Sequence, residues 1–485
     1  SIELIIDPVL VGATLSGTVG VSNYGHCATY DATGNIYSGA ICFGLGYPAS
    51  LGGFQATFGG GFMDMALSCL SPDATTLLYA TYLGGSDSDY PHSMFVNQAG
   101  ELHVMGTSDS PNFPTSAGAL STALNGATDI TVTHFNATGT GIIGSTYVGG
   151  SMSDGSNQLS WNYGDTYRGE IVLDAAGNIY IASCSGSADF PTTAGAHQTV
   201  YGGGAQDAVL FSLNPSCTAL NWSTYAGGTG HEVGFGIRLE GNHVYMTGGT
   251  DNQFFVGSGV QPTFGGGTSD GFVFRISNNG AVLTASTYWG FTDEDYAFFV
   301  DIDTDGDVYI YGQSTGGLSP ISAGVYNNSG SDQFIVKMDE NLANIDFSTQ
   351  IGSGGGGFGF DFIPIAFMVD NCKFIYFSGH SATSGLATSP TAFQTSGGFY
   401  LGVLQPDAVA LDFATYYGGP GGHVDGGTSR FDPEGIVYQA ACTFSGFNTS
   451  PGAWSSTYPG GYDIGVFKID FEAQGTNAVA GAAPS

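Results

Sequence analysis

Six acidic residues, Asp89, Asp154, Glu232, Asp295, Asp361 and Asp425, each follow a recurring glycine-rich step. The first four stand four residues after Gly85, Gly150, Gly228 and Phe291, and longer steps deliver Asp361 and Asp425. Repeated carboxylates of this kind either form a collar that holds cations and ligands or accept N–H groups of their own glycine-rich segments. A second acidic group is denser. Asp301-Ile-Asp-Thr-Asp-Gly-Asp307 sets Asp301, Asp303, Asp305 and Asp307 around a tight turn, as in the first half of a Ca2+-binding EF-hand loop. Its twelfth position is Gly312 instead of a bidentate glutamate, so a solvated acidic turn is the competing reading.

Four of the nine histidines, His26, His92, His231 and His423, fall near the same steps. A transition-metal site among His423, His26 and His92, near Asp89 and Asp425, competes with ordinary hydrogen-bonded packing. The stretch from Gly150 to Gly169 is unusually long and carries Trp161, Tyr163, Tyr167 and Arg168, a set suited to stacking on a sugar. It also suits an aromatic loop that simply packs. The sequence has no G-x-S-x-G, H-E-x-x-H, P-loop or dinucleotide fingerprint. Arg168, Arg238, Arg275 and Arg430 are widely spaced, which argues against an arginine cluster for an acidic sugar.

The whole-chain balance narrows the classes further. Seven basic residues face 41 acidic ones, for a formal charge of −34. Such a chain would be repelled by nucleic acid and by anionic lipid. With 42% apolar and 13% aromatic residues it is built to fold, and no apolar run is long enough for a membrane-spanning helix. The seven cysteines show no metal-type spacing and read as buried thiols, with a bridge among Cys27, Cys42 and Cys69 left open.

The elements that must carry these residues repeat. Asp31-Ala-Thr-Gly-Asn-Ile-Tyr37 has counterparts ending at His103, Tyr180, Tyr245, Tyr309, Tyr376 and Tyr438, separated by 66, 77, 65, 64, 67 and 62 residues. A second element, such as Ser145-Thr-Tyr-Val-Gly-Gly150, recurs in the same register. A third is an aspartate before an apolar run, at Asp64, Asp129, Asp207, Asp270, Asp332 and Asp463. Short β-branched and aromatic runs between glycine turns are strands, apolar on both faces. Four strands per unit in seven units predict an all-β, seven-bladed β-propeller over residues 1–470, with 471–485 as a tail. The last unit lacks its fourth strand, and Ile5-Ile-Asp-Pro-Val-Leu-Val-Gly12 is expected to supply it. The longer loops lie on the face of the blade crossings, which makes that face the expected binding side.

The joint pattern Ser-Thr-Tyr-Leu-Gly-Gly, Asp-x-x-Gly-Asn-Ile-Tyr, Phe-Pro-Thr-Thr-Ala-Gly-Ala and Asp-Ala-Val resembles the SBBP family of seven-bladed propeller repeats, from about residue 5 to 470. The resemblance implies a secreted, cell-surface protein of Bacteroidetes, at the exterior of the outer membrane. It also implies PKD-like modules, a sorting domain and the type IX secretion apparatus as neighbours. The expected function is a non-enzymatic module presenting loops for adhesion or for glycan or protein binding. The alternatives are a polysaccharide lyase or glycosidase with a carboxylate-lined funnel, and a structural spacer.

Overall fold

Among the described residues the expected strands form, and almost no helix accompanies them. The structure, a computed structural model, describes residues 8–18, 20–49, 52–159, 162–316, 321–354 and 360–471. The first strand, β1 (Val9–Leu15), belongs to the last sheet. From axis to rim, blade 1 holds β2 (Asn23–Tyr30), β3 (Ile36–Cys42), β4 (Asp64–Leu70) and β5 (Leu77–Leu83). Blade 2 holds β6 (Asp89–Val96), β7 (Leu102–Ser108), β8 (Asp129–Phe135) and β9 (Ile142–Val148). Blade 3 holds β10 (Glu170–Leu173), β11 (Ile179–Ser185), β12 (Asp207–Leu213) and β13 (Leu220–Ala226). Blade 4 holds β14 (Glu232–Glu240), β15 (His243–Thr250), β16 (Asp270–Ser277) and β17 (Leu283–Trp289). Blade 5 holds β18 (Asp295–Ile302), β19 (Val308–Ser314), β20 (Gln333–Met338) and β21 (Ile345–Ile351). Blade 6 holds β22 (Ile363–Val369), β23 (Ile375–His380), β24 (Phe399–Leu404) and β25 (Leu411–Tyr417). Blade 7 holds β26 (Arg430–Phe431), β27 (Ile436–Thr443) and β28 (Asp463–Asp470), with β1 outermost.

All pairings are antiparallel, and each innermost strand touches the next blade until β2 meets β27. The molecule is a closed seven-bladed β-propeller. Strands such as β3, β7, β11 and β12 are buried along their whole length, as sheets covered on both faces require.

The repeated residues serve the blades. In each Asp-x-x-Gly turn one carboxylate oxygen accepts backbone N–H groups two and four residues on, while the other faces the tyrosine hydroxyl six residues on. Asp31 does so with Thr33, Asn35 and Tyr37, and Asp432 with Glu434, Ile436 and Tyr438. The Ser-Thr-Tyr element clamps the long loop of its own blade. Tyr225 donates to the Ser187 carbonyl at 2.6 Å and accepts from Phe190 N–H at 3.1 Å, while Thr224 accepts from Gln198 N–H at 2.8 Å.

Ring closure uses β1 against β28, with Val9 opposite Asp470 and Leu15 opposite Gly465. The closing strand lies later than the expected Ile5–Gly12 span. It begins just after Pro8, which has no N–H for a ladder, and Ala13 and Leu15 are its buried apolar side chains. Residues 1–7 lie outside the described residues, as does the tail from 472. All seven cysteines are free thiols and only Cys372 is exposed, so the bridge left open in blade 1 is not formed.

Candidate functional site

The six acids expected at a channel collar are not exposed there. Asp89, Asp154, Glu232 and Asp295 are fully buried, and Asp361 and Asp425 nearly so. Asp89 accepts Gly85 N–H at 2.8 Å, Asp154 accepts Gly150 N–H at 2.7 Å, and Glu232 accepts Gly228 N–H at 2.8 Å. Asp295 and Asp361 do the same with Phe291 and Ser353, both at 2.7 Å. The glycine-rich crossing presents N–H groups inward, and the acid at the head of the innermost strand satisfies one.

Beside each of these five lies the third-element aspartate of the preceding blade; blade 6 has Gly398 at that position, so Asp425 has no such neighbour. A Cβ on Gly84 would stand 2.5 Å from Asp64 Oδ1 and 2.7 Å from Asp89 Oδ2, so only glycine fits between the two carboxylates. Gly149 stands in the same way between Asp129 and Asp154. Burial raises these carboxyls: Asp64, Asp89, Asp207, Asp270 and Asp332 to about 7, Asp129, Asp154, Asp295 and Asp463 to about 6, and Glu232 to about 8.

A carboxyl raised on folding takes up its proton first in the folded chain, so it adds stability as pH falls through those values. Buried His26, His92 and His103, lowered to about 4, 3 and 3, remove stability only as pH falls below their ordinary 6.5. The melting temperature is therefore expected to climb from pH 8 to pH 6.5 and to go on rising towards about pH 5, since the ten raised carboxyls outweigh the lowered imidazoles. A steady fall over that first interval in differential scanning calorimetry would contradict the assignment.

Blade 3 departs from its sisters. Asp154 pairs with Ser185 as the innermost strand should, but pairing resumes only at Glu170 opposite Ala182. The described residues of this stretch, 155–159 and 162–169, leave the sheet and cross the axis. Arg168 is buried, with Nη1 donating to the Pro364 carbonyl at 2.9 Å, Nε 3.3 Å from Asp165 Oδ1 and its guanidinium 4.3 Å from the Phe298 ring centre. Tyr167 stacks on Tyr90 at 3.9 Å. Asn162 donates to Gln313 at 2.8 Å, and Tyr163 donates to Asp425 Oδ1 at 2.6 Å. Gly164 meets blade 7 so closely that a Cβ would lie 2.8 Å from Gly426 N.

This segment touches blades 2, 5, 6 and 7 and plugs the channel from the crossing side. The expectation of a sugar-stacking platform is thereby corrected for Tyr167 and Arg168, whose surfaces are used inside. Tyr163 is exposed but its hydroxyl is bound. Trp161 lies outside the described residues.

The plug leaves a blind cavity of about 670 Å³ on the opposite, hairpin face, at the ends of the innermost strands. The binding side expected from loop length is thus the wrong one for the cavity, because the blade 3 insertion fills the channel from that side. Arg238 and Arg430 both line the cavity, with Glu170, Asp301, Tyr30 and Phe95. The arginines are far apart in sequence, but each stands one or two residues from the hairpin end of an innermost strand, and the ring brings such positions together.

Arg430 Nη1 is 3.1 Å from Glu170 Oε1, and its other nitrogens donate to the carbonyls of Met94 at 2.9 Å and Ile171 at 2.6 Å. Glu170 also accepts Ile237 N–H at 2.9 Å. Burial raises the Glu170 carboxyl, and Arg430 opposes that shift. Arg238 Nε is 2.9 Å from Asp301 Oδ1, whose partner oxygen accepts Val369 N–H at 2.8 Å. The Arg238 side chain is 47% exposed and is the open cation of the cavity.

The acidic run beside the cavity is met by cations of the chain itself. Asp303 Oδ2 is 3.0 Å from Lys373 Nζ, Asp305 is 2.6 Å from the same nitrogen, and Asp307 is 3.0 Å from Lys337 Nζ. Asp301 is taken by Arg238. The four acids do not converge on one empty centre. Calorimetry with Ca2+ is expected to give no heat from this hairpin in the wild type. A bound ion that Asp305→Asn releases would contradict this reading. The remaining bases also turn inward. Arg275 donates to Thr284 at 3.0 Å, and Lys468 donates to the Gly34 carbonyl at 3.0 Å.

No protein-family model and no curated protein matches the chain. Solved structures similar to it include a protein of unknown function from Dyadobacter fermentans, with 12% identity, 96% of this chain and 100% of that one covered, and a TM-score of 0.40. The full extracellular region of plexin A4 has 10% identity, 94% and 51% coverage and a TM-score of 0.47. A polysaccharide lyase acting on ulvan has 10% identity, 82% and 85% coverage and a TM-score of 0.42. These likenesses carry no argument about function. The fold rests on the strand pairing above.

Proposed function

We propose that the chain is a non-enzymatic propeller module of a larger secreted surface protein, and that its hairpin-face cavity binds a glycan or protein ligand bearing a carboxylate. The observation that carries this reading is the blind cavity, in which the Arg238 side chain stays 47% exposed beyond its Nε contact with Asp301, while Glu170 is held by Arg430 and the Ile237 N–H. A carboxylate would meet Arg238 as a charge-assisted pair, and Tyr30 and Phe95 supply aromatic surface at the wall. Secretion to the cell surface, PKD-like neighbours and the type IX route are supported by the resemblance of the repeats to SBBP propellers.

The test is a glycan-array screen with uronate-bearing and neutral oligosaccharides, followed by calorimetry. Arg238→Ala is expected to weaken binding at least about tenfold, the loss of one good charged contact; it also strips the buried Asp301 of its partner, so the melting temperature falls and circular dichroism checks that the ring stays folded. Binding indifferent to Arg238→Ala would overturn it. A polysaccharide-active enzyme is the second reading, favoured by the raised carboxyl of Glu170 at the cavity wall. Product formation from an acidic polysaccharide, abolished by Glu170→Gln, would establish that reading instead.

A further inference from the structure

Blade 7 breaks the rule of the crossing acids. Among the described residues, Asp425 does not take an N–H of its own crossing; its Oδ1 accepts the Tyr163 hydroxyl at 2.6 Å. Its Oδ2 is buried without a hydrogen bond and faces His423 Nε2 across 3.5 Å. Two residues earlier, His423 forms an isolated bridge with Cys442, exchanging both backbone bonds at 3.2 and 2.8 Å. Residues i and i+2 of an extended segment share a side, and bridge partners face the same way. The backbone therefore delivers an imidazole, a carboxylate and a thiol to one place. Nε2, a carboxylate oxygen and Sγ all lie within 4.8 Å of one another.

Two further features point to an ion. His423 Nδ1 lies 2.8 Å from the Gly421 carbonyl, which can only accept, so Nδ1 carries the hydrogen. Nε2 is then the nitrogen left to face Asp425 Oδ2, and either a proton on the ring or a metal ion supplies the positive centre between them. Nearby, His26 is fully buried, and neither of its ring nitrogens has a hydrogen-bond partner.

We propose that His423, Asp425 and Cys442 form a binding site for a zinc-class divalent transition metal, on the face opposite the cavity and independent of it. Sulfur, nitrogen and carboxylate donors together select such an ion over Ca2+ or Mg2+. Bonds of about 2.0–2.3 Å place tetrahedral ligand atoms roughly 3.3–3.8 Å apart, so closing the site takes up about an ångström. Binding exchanges the Cys442 thiol proton, released to solvent, for the metal. Three protein ligands leave a fourth position, for His26, water or an external ligand. Through Tyr163 the centre would also be tied to the channel plug.

The test uses the full chain, stripped with chelator and titrated with Zn2+ by calorimetry and with Co2+ by absorption. One ion per chain is expected, with a thiolate-to-Co2+ charge-transfer band. Cys442→Ser is expected to remove the band, and His423→Gln to weaken Zn2+ binding at least about a hundredfold, the upper range for disturbing a metal shell. Because Cys442 is buried, circular dichroism of each variant checks folding, and the partly exposed His423 carries the test if Cys442→Ser unfolds. No uptake by the wild type, uptake without the band, or binding unchanged in a folded His423→Gln variant overturns the proposal.

Discussion

A chain lacking residues 1–15 is expected to lose cooperative folding at room temperature. β1 contributes a full ladder to β28, buries Ala13, Thr14 and Leu15, and bonds Ser450 and Ser455 through Ala13 and Thr14. Apolar burial at ~1.5–3 kcal/mol per large side chain and net hydrogen bonds at ~0.5–1.5 kcal/mol sum to roughly 5–10 kcal/mol. That rivals the ~5–15 kcal/mol stability of a whole domain. The loss also opens the ring, since blade 7 is the sheet made from both ends of the chain. Calorimetry on the truncated chain decides: a sharp transition within a few degrees of the wild type would refute the closure.

Arg168→Met carries the second large effect. It removes the donor to Pro364 and the charge facing Asp165, whose side chain is 1% exposed. Breaking a buried pair from one side costs ~3–5 kcal/mol, because a buried charge is left behind. The plug should loosen, and the melting temperature should fall sharply. The double variant Arg168→Met with Asp165→Asn is expected to recover much of the loss, since neither charge then remains. A single variant as stable as the wild type would mean that the guanidinium does not hold the plug.

Much of the architecture was readable in the sequence because each repeated residue has a fixed local task. An aspartate that accepts N–H groups two and four residues on, a tyrosine that ties the long loop, and a glycine with carboxylates on both sides all recur at fixed offsets. The cavity had no such signal. Arg238, Asp301, Arg430 and Glu170 come together through ring geometry, at no offset that a linear pattern exposes. The 77-residue spacing announced the insertion in blade 3. Aromatic and arginine content alone, however, suits an inward plug as well as an outward platform. The Asp301–Asp307 run matched an ion-binding pattern, yet Lys337 and Lys373 arrive from other strands to meet it. Cys442 joins His423 only through strand pairing, and the 18 residues between them carry no recognisable spacing.

The placement of the few basic residues, nearly all on strands or in the channel, has a practical outcome for handling the protein. Arg238, Arg275, Lys337, Arg430 and Lys468 lie within strands, and Arg168 lies in the channel; Lys373 alone stands in a hairpin turn. Trypsin, which needs an extended, accessible stretch around a basic residue, meets one such stretch on the intact ring. Digestion of native protein should therefore report when blades separate, and amine-directed labels should attach sparsely.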